Sequence, residues 1–178
     1  MWKTGLFLLL TITWQSMASP INTVSLTGGL MKFKGEILSN TCVVDDGDRY
    51  LTVAMGQVSN NKFSHAGDDS DAVPFSLHFK YCTQSVSRNM NVVFRGVADQ
   101  GNPDLLAIEQ GGNVAKGIGI ALFDEQGNII PINSGKLPIR VNNSGPLTLN
   151  LIAKYRATST QISGGVANAQ AWFSLTYQ

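Results

Sequence analysis

The chain has 178 residues, with 13 Lys and Arg against 12 Asp and Glu and a formal net charge of +1. Only 14% of the residues are charged, so no basic surface recommends nucleic acid and no acidic tail recommends a cationic partner. The length suits one domain.

In chain order, Lys3 is followed by an apolar run from Leu6 to Trp14 that is too short to span a bilayer, and then by the small residues of Ser16-Met17-Ala18. This is the pattern of a cleaved export signal over residues 1–18. No stop-transfer segment follows, so stable membrane insertion is not expected. Ser19 to Gly29 is polar and glycine-ended, and reads as a flexible arm carrying Ile21, Val24 and Leu26. Met31-Lys32-Phe33-Lys34-Gly35-Glu36-Ile37 then alternates strictly. Its odd positions are apolar or glycine and its even positions are charged, so one face calls for burial and the other for water.

An extended segment around Cys42 runs to the turn-forming Asp45-Asp46-Gly47-Asp48. Further strands are predicted at Tyr50–Met55 and at Val73–Tyr81, the latter with Phe75, Leu77, Phe79 and Tyr81 on one face. Met90–Gly96 follows, then a hairpin of Ile118–Phe123 and Asn128–Ile132 around Asp124-Glu125-Gln126-Gly127. Leu147–Tyr155 alternates again. The closing strand, Ala167–Tyr177, sets Ala169, Ala171, Phe173, Leu175 and Tyr177 on one face. No segment sustains a helical period, and strands at this spacing with Gly, Asn and Pro between them argue for an all-β sandwich.

Cys42 and Cys82 are the two cysteines. In an exported chain an even pair reads as a disulfide. A metal site needs more ligands, and His65 and His78 are the only histidines. No tryptophan lies between the cysteines, so an antibody-type core with tryptophan on an inter-sheet disulfide is not expected. The bond is expected to tie the first core strand to the end of the Val73–Tyr81 strand.

Catalysis finds no support. His65 falls in a polar loop and His78 on the solvent-facing side of its strand, and no nucleophile elbow is present. The Asp45–Asp48 and Asp68–Asp71 clusters lack calcium-loop spacing and read as turns. In Gly111–Gly117 the lysine precedes the glycine, so the P-loop pattern is absent. No cofactor, metal or catalytic residue is assigned.

The two ends belong together. A final apolar strand must be internal to a sheet or lie at an edge, where it is an aggregation hazard. Either the chain's own arm covers that edge, or a partner's strand does.

Four features resemble the pilus subunits of the bacterial chaperone–usher pathway, type 1 fimbrial protein family. They are the arm ending Phe33-Lys34-Gly35-Glu36, the pair Cys42 and Cys82, and Val73-Pro74-Phe75 entering the second-cysteine strand. The fourth is the terminal pattern Gly165…Ala169-x-Ala171-x-Phe173-x-Leu175-x-Tyr177-Gln178. The resemblance implies an incomplete immunoglobulin-like sandwich of six own strands over residues 37–178, preceded by an N-terminal donor-strand extension over 19–36.

It further implies that a periplasmic chaperone lends a strand to the open groove. At an outer-membrane usher the extension of the next subunit replaces it, building a head-to-tail surface fimbria. Met31 and Phe33 are then the inserted side chains, and Gly35 lies where the groove has no room. The acceptor strand carries Ala169, Ala171, Phe173, Leu175, Tyr177 and Gln178, and Gly165 opens it. The reading from another class is a monomeric exported sandwich that binds carbohydrate or protein through its loops.

Overall fold

The computed structural model describes residues 32, 34, 42–83 and 90–177. The expected export signal, Met31 and Phe33 expected as inserted side chains, Gly35 and the terminal Gln178 lie outside the described residues. Ile37–Gln178 forms one compact unit. Its strands are β1 (Val43–Val44), β2 (Val73–Cys82), β3 (Met90–Gly96), β4 (Leu106–Ala107), β5 (Ile118–Phe123), β6 (Leu137–Ile139), β7 (Gly145–Ala157) and β8 (Ala171–Tyr177). Among the described residues, helix is confined to the 3₁₀ turns Asp46–Asp48 and Asn60–Lys62.

One sheet has the order β1-β2-β7-β5-β4 and the other β6-β3-β8. Each ladder is antiparallel. The core fills the space between the sheets. Leu77 and Phe79 of β2 and Leu151, Ala153 and Tyr155 of β7 enter it from one side, and Met90, Val92 and Phe94 of β3 from the other. The all-β, immunoglobulin-like expectation holds, because each long strand presents an alternate row of branched or aromatic side chains to that space.

Three strand predictions need correction. Tyr50–Met55 joins no ladder. Val53 and Met55 do pack against the core, so the alternation marks a backbone with one wet face but no ladder partner among the described residues. On β2, the register slips between Phe79 and Cys82, and Tyr81 sits at φ 57°. This bulge turns Tyr81 outward, 74% exposed, and buries Cys82 in its place. The hairpin partner of β5 makes a single bridge, Phe123 to Ile129, held by the Asp124 turn whose carboxylate accepts from the Asn128 N–H at 2.8 Å.

Cys42 and Cys82 form a disulfide. Because β1 and β2 are neighbours in one sheet, the bond lies within that sheet, as the lack of a core tryptophan suggests. The acidic turns are turns. The Asp45 carboxylate accepts from the Gly47 N–H at 3.1 Å and pairs with Lys80 at 2.7 Å, while Asp48 lies 2.9 Å from the His78 ring. Asp69 takes Arg156 in a two-pronged pair at 2.6 and 2.8 Å.

The sheet edges differ greatly. β1 and β4 have two residues each, and β6 has three, with Pro138 at its centre. Where β6 stops short of the end of β3, the Asn133 side chain takes over. Its Oδ1 accepts from the Gly96 N–H at 3.1 Å and its Nδ2 donates to the Gly96 carbonyl at 3.0 Å. β8 is the long edge, at seven residues. Among the described residues it pairs on one flank alone, with β3.

Candidate functional site

β8 is a strand because Phe173, Leu175 and Tyr177 alternate with Trp172, Ser174 and Thr176 over a β-branched and aromatic stretch. Its ladder sets Phe173 opposite Phe94, Leu175 opposite Val92, and Tyr177 opposite Met90. The β3 members of these pairs are 4%, 0% and 0% exposed. Their β8 partners all belong to the same core but are only half-buried. Burial therefore falls sharply across one ladder, a distance of about 5 Å, toward the free flank of β8. The Phe94 and Phe173 rings lie 6.4 Å apart between centroids at 47°, so Phe173 is covered on that side while remaining half-buried.

Both ends of the flank are anchored. At one, the Tyr177 hydroxyl donates to the Cys42 carbonyl at 3.3 Å, linking the end of β8 to the disulfide. At the other, residues 166–168 run beside 109–115. Val166 N–H donates to Asn113 O at 2.8 Å, Ala115 N–H to Val166 O at 2.9 Å, and Glu109 N–H to Asn168 O at 2.8 Å. The Tyr155 hydroxyl, reaching up from β7, donates to Ala167 O at 2.9 Å. An open cavity of about 710 Å³ lies here, bordered by Val58, Phe63, Ile118, Tyr155, Gly165 and Ala167 among others.

Gly165 is where two backbones touch. A Cβ there would lie 2.4 Å from the Val114 carbonyl carbon and 2.6 Å from the Ala115 nitrogen. Backbone cannot swing aside as a side chain can, so Gly165→Ala is expected to lower stability by about 1–3 kcal/mol. A urea midpoint shifted down at unchanged slope checks this.

Burial raises both the Tyr155 and Tyr177 hydroxyls above the ordinary tyrosine value. A phenol whose folded pKa is raised stays neutral in the fold while the unfolded chain begins to ionise. Its contribution is thus complete below the unfolded value, about pH 10, and is lost as pH climbs through the folded one. The melting temperature is expected to hold level from neutral pH to about pH 9 and then decline. The Tyr155→Phe, Tyr177→Phe double variant, less stable at neutral pH, is expected to show a shallower alkaline fall.

Of the predicted site residues, Ala171, Phe173, Leu175 and Tyr177 share the β8 ladder. Ala169 packs against the core just before it, and Gly165 borders the cavity. The strand begins at Ala171 rather than Ala167, because residues 166–168 bond to 109–115 instead of to β3. Sequence reasoning missed Tyr155 and the cavity. Their one sequence signal was the alternating row Leu151, Ala153, Tyr155.

The model for the family "Fimbrial protein" matches residues 31–178. The "Type-1 fimbrial protein, C chain" of Escherichia coli is 31% identical over 175 residues, covering 98% of this chain and 96% of that one. The "Long polar fimbria protein A" of Salmonella typhimurium is 32% identical over 150 residues, 84% of each. Among solved structures, a Burkholderia pseudomallei antigen and type I fimbria protein superposes at a TM-score of 0.60 with 34% identity, over 77% of this chain and 89% of that one. The P pilus rod subunit PapA shares the fold at a TM-score of 0.63 with 20% identity, over 77% and 99%. A match from residue 31 to the last residue, on a sandwich that one solved relative shares at 34% identity, places the chain in the fimbrial protein family.

Proposed function

We propose that this fimbrial subunit polymerises by donor-strand exchange, with the free flank of β8 as acceptor and residues 19–36 of the next copy as donor. The burial step across the β3–β8 ladder carries this reading. Phe173, Leu175 and Tyr177 face a core that the described residues leave half-covered, and a strand laid along β8 would supply both ladder bonds and further side chains. Met31 and Phe33 are the donor side chains in this reading, and Gly35 is the small residue between them and Ile37.

A periplasmic chaperone first lends its own strand to this flank, and an outer-membrane usher is where the exchange takes place. The contact is head-to-tail and does not close on itself, so the product is an open filament at the cell surface. Its role is structural and adhesive rather than catalytic. Separation requires losing a row of buried side chains and a ladder together, which makes the junction kinetically stable.

Protein expressed from Ser19 and refolded alone is expected to aggregate, and to become soluble when a synthetic Ser19–Glu36 peptide is present in excess. A monomer that refolds cooperatively without peptide or chaperone would favour the self-contained binding module instead.

A further inference from the structure

Trp172 has no place in the reading given above. It is 66% exposed on an otherwise regular strand. Its neighbours Phe173, Leu175 and Tyr177 point inward, so Trp172, Ser174 and Thr176 form the outer row of β8. On the β3 side Trp172 faces Arg95, itself exposed. On the other side lies the free flank.

The donor segment has an outer row too. With Met31, Phe33 and Gly35 turned inward, Lys32, Lys34 and Glu36 turn outward, and Lys32 and Lys34 are exposed. The register follows from one rung of the acceptor. Gly96 of β3 is paired with Ala171 of β8, and a Cβ on Gly96 would lie 2.4 Å from Leu106 Cδ2. Leu106, 4% exposed, thus already fills the interior at this rung.

Ala171 is the small inward member of β8 and Gly35 the small member of the row Met31, Phe33, Gly35, Ile37, so the register that pairs like with like sets Gly35 opposite Ala171. An antiparallel strand, like each ladder of this domain, then sets Phe33 against Phe173 and Met31 against Leu175, with Ile37 opposite Ala169. The outer row follows directly: Lys34 opposite Trp172, Lys32 opposite Ser174, and Glu36 opposite Gln170.

We propose that Lys34 of the donor copy lies over the Trp172 ring of the acceptor copy, a cation–π contact on the outside of each junction that fixes donor register. It rests on the donor-strand reading. Directly opposed residues have Cβ atoms about 4.5–5.5 Å apart. A lysine stem at that separation can place its ammonium within about 6 Å of the ring centroid. The indole is then flanked by Arg95 on one side and Lys34 on the other, and its apolar face is covered at the point where each subunit meets the next.

The chain's other tryptophans are Trp2 and Trp14, so protein expressed from Ser19 reports Trp172 fluorescence alone. That protein is refolded with excess Ser19–Ile37 peptide, either unchanged or carrying Lys34→Met, Lys32→Met or Glu36→Gln. The unchanged peptide is expected to shift Trp172 emission and protect it from acrylamide. The Lys34→Met peptide should dissociate roughly threefold faster, and the other two at nearly the parent rate.

On a Trp172→Leu acceptor the Lys34→Met penalty should vanish, and on Trp172→Tyr it should persist in part. A Lys34→Met penalty equal on all three acceptors would overturn the contact, as would coupling of Trp172 to Glu36, which signifies a parallel donor. Failure of each peptide to bind would overturn the donor-strand reading itself, and this contact with it.

Discussion

A subunit carrying Gly35→Leu is expected to fold and to accept its neighbour's strand, yet to fail as a donor. The two roles separate because Gly35 lies in residues 19–36, whereas the proposed acceptor flank is β8. At the Gly96–Ala171 rung Leu106 already packs on Gly96, and in the proposed register Gly35→Leu adds a full side chain to that row, overpacking it. Overpacking of this kind costs about 1–3 kcal/mol, which corresponds to roughly five- to 150-fold weaker insertion. Filament yield on cells that express only the variant, counted by electron microscopy, should drop to less than about a tenth of the parent. Gly35→Ala should fall between the two. Filaments of normal number and length from Gly35→Leu would remove the steric role assigned to that glycine.

Replacing both cysteines with serine is expected to produce the largest loss of subunit stability. The disulfide closes a separation of 40 residues, worth about 4 kcal/mol in the loop-entropy account. Here it has a local role as well. β1 contributes only two residues to its sheet, pairing Val43 with Lys80 and Val44 with Phe79, and the Cys42 carbonyl receives the Tyr177 hydroxyl at the end of β8. Without the bond, β1 loses its tether and that hydroxyl loses a fixed acceptor. The expected readout is a downward shift of the urea midpoint together with weaker binding of the Ser19–Glu36 peptide. An unchanged peptide affinity would show that the disulfide supports the fold without shaping the flank.

The inward rows of β2, β3, β7 and β8 were legible in the sequence, because period-two alternation registers which face is wet. Ladders were less legible, since alternation carries no information about who pairs with whom. Tyr50–Met55 illustrates the difference: Val53 and Met55 turn to the core, but the backbone beside them has no strand neighbour. Tyr81 was misplaced because a bulge shifts parity by one residue, and the reversal depends on a single backbone angle. The cavity beside Gly165 could not be anticipated. It forms where residues 56–63, 113–118 and 162–168 meet, segments that lie almost wholly outside the strands. Trp172 was visible as an even-numbered residue among inward odd ones, but its significance depends on the strand expected beside it.

The uneven edges of the two sheets set the valence of the molecule. Two-residue strands bound one sheet, while a proline-centred strand and the Asn133 amide close one side of the other. Among the described residues, β8 is the one edge strand longer than three residues, and it is where a visiting strand docks in the proposed exchange. In the proposed donor-strand exchange that edge takes one successor, so material added at the growing end extends a line.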